Sequence, residues 1–213
     1  MTHITVLGGT GYTGAALVAE AASRGHRVTS LSRSAPESPV EGVDYVTGSI
    51  LDDALVEQLV GATDVVIASV PPRGDLPSRI RPFAARLAEL TATHGTRLGF
   101  IGGAGSLLVA EGGPRVVDTD FPEAFKPEAL EAADVLEDLR GSSEAVDWFY
   151  VSPAGGYGAY APGEATGTFR VGGDVILVDE SGTSYVSSQD LAAAVIDEVD
   201  EPAHRRARFT VAY

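Results

Sequence analysis

Ile4-Thr5-Val6-Leu7-Gly8-Gly9-Thr10-Gly11-Tyr12-Thr13-Gly14 lies at the start of the chain and decides its fold. Ile4 to Leu7 is a short apolar, partly β-branched run ended by glycines, the pattern of a buried strand. From Tyr12 to Arg24 small residues (Ala15, Ala16, Ala19, Ala21, Ala22) crowd the sequence and Gly25 supplies a stop. A helix lying close to a sheet is expected there. Between the two, Gly8, Gly11 and Gly14 form a GxxGxxG spacing. Strand, glycine turn and helix in that order predict a tight turn whose N–H groups, at a helix N-terminus, face negative charge. A pyrophosphate suits that arrangement, with Gly8, Thr10, Gly11, Tyr12, Thr13 and Gly14 as its contacts.

The same rhythm runs outward from this unit. Strands are expected at 27–31, 43–46, 64–68, 97–101 and 146–151, and helices at 52–60, 78–93 and 127–140. In the last helix Leu130, Ala133, Leu136 and Leu139 read as the inward stripe. Six strands separated by helices predict an α/β fold, a doubly wound parallel sheet of the Rossmann type. After Pro153 the texture changes. Residues 154–188 are glycine-rich and strand-like, with strands expected at 168–171 and 175–178 around the turn Gly172-Gly173-Asp174. A helix over 189–199, N-capped by Ser188, and a strand over 208–212 close the chain. Residues 1–213 are expected to form a single NAD(P)-binding domain, with 154–188 making most of a small C-terminal substrate-side lobe.

A site that prefers NAD usually places a carboxylate about twenty residues beyond the glycine turn, for the ribose 2′-hydroxyl. Here the residues are Leu31-Ser32-Arg33-Ser34, without an acid. A guanidinium beside hydroxyls suits a 2′-phosphate, so Ser32 and Arg33 favour NADP(H), with NAD(H) as the lesser ligand. In such folds the ligand lies across the carboxyl ends of the strands. Ser49, Ile50, Ala68, Ser69, Val70, Gly102, Gly103 and Pro153 are therefore expected to line its groove.

Composition excludes several classes. With 15 basic against 30 acidic residues the net charge is −15, which disfavours nucleic-acid binding. There is no cysteine, so thiolate catalysis and sulfur-ligated metals are out. The four histidines (His3, His26, His94, His204) have no metal-ligand spacing, and no metal is expected. No apolar run approaches the roughly 18 residues of a membrane span, and no secretory signal is visible. The expectation is a cytoplasmic protein, monomer or homodimer.

Several segments carry a family likeness. The glycine turn, Gly48-Ser49-Ile50-Leu51-Asp52, Gly102-Gly103-Ala104-Gly105-Ser106-Leu107, the stretch Phe121 to Leu130 and the tail Arg208 to Tyr213 resemble the NADH-flavin reductases. These are atypical short-chain dehydrogenases related to the biliverdin-reductase-B type and to NmrA-like proteins. The resemblance runs almost end to end. It implies a Rossmann fold, bound NADP(H), and reduction of a flavin such as FMN or of a quinone-like acceptor. The chain departs from the pattern at Ser49, where an acid is usual, and at Phe125, where a relative can carry tyrosine beside the lysine.

Typical short-chain dehydrogenases use a Tyr-x-x-x-Lys pair as proton relay. The sole lysine is Lys126, and four residues before it stands Pro122. Flavin reduction needs no such relay, because stacking of two flat rings suffices and solvent can supply the proton. Ser106, after a glycine turn, and Lys126 are the catalytic candidates. Tyr157 and Tyr160 are candidates to stack on a planar small-molecule acceptor. The thin catalytic apparatus also admits a non-catalytic NADP(H)-binding redox sensor acting through a protein partner.

Overall fold

The apolar runs before residue 153 all become parallel strands of one sheet. In the computed structural model, which describes residues 1–73 and 76–213, these are β1 (His3–Leu7), β2 (Arg27–Ser32), β3 (Asp44–Thr47), β4 (Val65–Ala68), β5 (Arg97–Ile101) and β6 (Trp148–Pro153). Two more follow, β7 (Arg170–Gly172) and β8 (Ala207–Ala212), giving the order β3-β2-β1-β4-β5-β6-β8-β7. All pairings are parallel except β7 against β8. The chain winds outward from β1 to β3, then returns to the other side of β1 for β4. That reversal opens a crevice at the carboxyl ends of β1 and β4.

Side chains alternate across each strand and so feed two cores. On one face Ile4, Val6, Phe149, Val151, Phe209 and Val211 pack under α1 (Tyr12–Ser23) and α5 (Ser188–Asp200). On the other Leu7, Leu31, Phe100, Trp148 and Tyr150 pack under α2 (Asp53–Val60), α3 (Ile80–His94) and α4 (Lys126–Arg140). Parallel strands covered on both faces must be apolar throughout, and the 0–5% exposure of Val65 to Ala68 in β4 shows it. Among the described residues no helix is long and apolar enough to cross a membrane.

Several expectations need correction. The segment 175–178 forms no strand. Val175 makes a single bridge to Leu108, and Ile176 N–H donates to the Leu108 carbonyl. The strand expected at 168–171 forms as β7 and extends the main sheet, because the outer edge of β8 offers backbone groups that need partners. The lobe therefore has no sheet of its own. α3 begins at Ile80 rather than Ser78, since Ser78 adopts φ +60°. Glu131 of α4 caps that start, accepting from the N–H groups of Ser78, Ile80 and Arg81. The N-cap of α5 is Ser187, not Ser188, and its hydroxyl accepts from Asp190 N–H. In α4 the buried stripe is Ala132, Ala133, Val135, Leu136 and Leu139, whereas Leu130 is exposed. Leu130 falls outside the i, i+3, i+4, i+7 phase of that stripe.

Candidate functional site

Tightness of the β1–α1 turn follows from its glycines. Gly8 has φ +89°, and a Cβ on it would overlap the Ser69 carbonyl oxygen of the neighbouring strand end. A Cβ on Gly14 would overlap the Gly8 carbonyl oxygen, so the first turn of α1 can lie on the glycine turn only without one. Gly8 N–H donates to the Leu31 carbonyl (2.8 Å), and Thr10 N–H donates to Ser32 Oγ (3.0 Å). These bonds lock the turn to β2.

The N-cap of α1 is Gly11, which lays no side chain over the helix start, and the first turn holds no acid. A helix leaves its first N–H groups without intrahelical partners, here around Tyr12, Thr13 and Gly14. With the positive end of the helix dipole they form a cradle for an anion, and the glycines leave room for a pyrophosphate to touch backbone. The residues present therefore fit a dinucleotide. At the end of β2, Ser32 is buried and Arg33 exposed.

The other groove candidates sit on the same carboxyl edge. Ala68 ends β4, and Ser69 N–H donates to the Leu7 carbonyl (2.8 Å). The Val70 side chain stands against Gly8. Ser49 Oγ accepts from Leu51 N–H (3.1 Å), and Ile50 is buried beside it. Gly102 and Gly103 follow β5, and Gly102 lies so close over the Tyr150 hydroxyl that a Cβ would overlap it. Burial pushes the Tyr150 hydroxyl well above the ordinary phenol range, and it donates to the Ala132 carbonyl (2.9 Å). Pro153 closes β6.

Across the crevice the segment after β6 wraps over the start of α1. Tyr157 Oη lies 2.6 Å from Thr13 Oγ1, and its ring is 5.5 Å from that of Tyr12. Tyr12 Oη donates to the Pro162 carbonyl (3.1 Å). Thr166 and Gly167 N–H groups donate to Asp190 (2.7 and 3.0 Å), which is 3% exposed and also accepts from Tyr213 Oη (2.5 Å). Tyr160 is 72% exposed. The glycine turn and Tyr157 are thus brought together, 144 residues apart.

The two catalytic candidates sit elsewhere in the network. Ser106 is buried and its Oγ accepts from Arg208 (3.0 Å), whose guanidinium also grips Asp174. Lys126 Nζ pairs with Glu123 (3.0 Å) at the exposed start of α4. The Tyr157–Thr13 bond and the Asp190 hub had no local signature, although Ser187-x-x-Asp190 has the spacing of a capping box and could have located the start of α5.

A family model described as NAD(P)H-binding matches residues 8–202. The chain is 32% identical over 210 residues to the "Uncharacterized protein YwnB" of Bacillus subtilis (strain 168), covering 98% of this chain and 97% of that one. A crystal structure of a "putative exported protein" from Burkholderia pseudomallei is 36% identical with a TM-score of 0.86, and all of both chains is covered. A "putative NADH-flavin reductase" from Streptococcus pneumoniae TIGR4 is 32% identical with a TM-score of 0.85, covering 100% of this chain and 99% of that one.

Proposed function

The chain belongs to the NAD(P)H-binding family, and from that premise we propose that it is an NADPH-preferring oxidoreductase that reduces a flavin or a quinone-like flat acceptor. The observation that carries this reading is the acid-free start of α1 over its glycine cradle, set beside a crevice in which the described residues show no acid–base pair. Ser106 Oγ accepts from the Arg208 guanidinium, and Lys126 pairs at the surface with Glu123. When bound, the reduced nicotinamide would supply hydride for a flat acceptor, with solvent able to give the proton. The protein's part is to bind, orient and exclude water. The amides around Tyr12 to Gly14 hold the pyrophosphate, Ser32 and Arg33 the 2′-phosphate, and Ala68 to Val70, Gly102, Gly103 and Pro153 flank the reactive end. The exposed ring of Tyr160 offers a surface for the acceptor.

Titration with NADPH and NADH, then with FMN, riboflavin or a quinone while absorbance at the nicotinamide band is followed, tests both halves. Arg33→Ala is expected to weaken NADPH about tenfold while leaving NADH nearly unchanged, because only NADPH carries the 2′-phosphate. Equal losses for the two nucleotides would contradict the assignment of Arg33. No turnover across the acceptor panel would overturn the reductase reading. The engaged states of Ser106 and Lys126 also favour a second reading, a redox sensor without turnover. That role requires different affinities for NADP+ and NADPH, and equal affinities would remove it.

A further inference from the structure

We propose that Tyr157 positions the pyrophosphate of the nucleotide through Thr13, its hydroxyl donating to Thr13 Oγ1 so that the Thr13 proton is turned toward the phosphate oxygens. The inference rests on the nucleotide site alone and is independent of which acceptor is reduced. Thr13 is the second residue of α1, in the first turn, whose N–H groups have no intrahelical partner. Its hydroxyl has one proton to give, and phosphate oxygens only accept. A partner that donates to Thr13 therefore leaves that proton for the phosphate, and Tyr157 Oη stands 2.6 Å away to do so.

The phenol is delivered rigidly. Gly155 N–H donates to Ser184 Oγ (2.9 Å) and Gly156 N–H to the Ser184 carbonyl (2.8 Å), fixing the backbone before it. The Tyr12 ring, tilted 52° to that of Tyr157, and the bond from Tyr12 Oη to Pro162 hold the far side. Burial pushes the Tyr157 hydroxyl well above the ordinary phenol range, so it keeps its proton at neutral pH. Tyr157, 144 residues from Thr13 along the chain, is a positioning residue and ties the segment after β6 to the anion cradle.

Fluorescence titration with NADPH, and competition by 2′-AMP, which has the 2′-phosphate but no pyrophosphate, tests the relay. Tyr157→Phe keeps the ring and removes the hydroxyl. It is expected to weaken NADPH about tenfold, because the bond from Thr13 to the charged phosphate then loses its orientation, and to leave 2′-AMP within about twofold. Thr13→Val should lose as much, Thr13→Ser should bind NADPH nearly as the parent does, and Tyr157→Phe combined with Thr13→Val should be no weaker than Thr13→Val alone. Unchanged NADPH affinity in Tyr157→Phe, a parallel loss of 2′-AMP, or additive losses in the double variant would each overturn the proposal. Turnover with any acceptor plays no part in the readout, so failure of the reductase reading would be seen separately.

Discussion

Single atoms decide the turn between β1 and α1. Gly14 tolerates no Cβ because the Gly8 carbonyl oxygen occupies its place, and both groups are backbone, which cannot swing aside as a side-chain tip can. Gly14→Ala is expected to push α1 off the glycine turn, lowering the melting temperature and abolishing measurable NADPH binding, with dye-monitored melting and fluorescence titration as the checks. Binding at the parental level would show that the turn can relax. Gly8 and Gly14 were legible in the sequence because their spacing and their demand are local, confined to one strand, one turn and one helix start. Tyr157 was legible only as an aromatic residue among glycines. Its hydroxyl partner lies across the fold, and no pattern near Tyr157 points to Thr13.

Elements are joined here by buried polar hubs as well as by apolar contact. Glu198 on α5 is 3% exposed and accepts from Arg97 of β5, from Ala203 and His204 N–H groups and from the His204 ring. The Arg97 guanidinium, itself buried, also lies 4.7 Å over the Phe149 ring. Removing Glu198 leaves the buried Arg97 guanidinium to the more distant and more exposed carboxylate of Asp147, 3.6 Å away. Glu198→Ala is thus expected to cost about 3–5 kcal/mol and lower the melting midpoint by roughly 10 °C. Glu137→Ala, which breaks an exposed pair with Arg140, should cost under about 1 kcal/mol. Similar melting temperatures for the two variants would refute the distinction. At this scale the sequence located most helices and strands, since each has its own period and stops. It misplaced those set by neighbours. Residues 175–178 looked like a strand, yet the sheet edge had already been taken by β7, leaving them one bridge to Leu108.

For the whole molecule, three carboxylates link stability to acidity. Burial pushes Glu198 up, but Arg97 and the His204 and Ala203 N–H groups outweigh it and hold its pKa below the usual range. Burial likewise raises Asp190 and Asp174, and each is carried below its ordinary value, Asp190 by the Tyr213 hydroxyl and the N–H groups of Thr166 and Gly167, Asp174 by Arg208 and Arg140. Groups with a depressed folded pKa contribute fully above their unfolded value and lose that contribution as pH falls through the folded one. The melting temperature is therefore expected to be nearly flat from about pH 7 to 5 and to fall steeply below about pH 4. Acid also relieves the −15 net charge, which acts the other way. That repulsion is spread over the surface and screened beyond roughly 10 Å at 0.1 M salt, so the hubs are expected to win. A midpoint unchanged to pH 3 would show they do not. The sequence by itself determined the α/β class, the glycine cradle, the acid-free end of β2 and the order in which strands and helices come, because each depends on residues within one or two elements. Only the tertiary structure decided that Ser106 serves Arg208, that Asp190 anchors the segment after β6, and that Tyr157 meets Thr13. Those pairings depend on which strands become neighbours and in what register, and that outcome is set by packing of the whole sheet between its two helix layers.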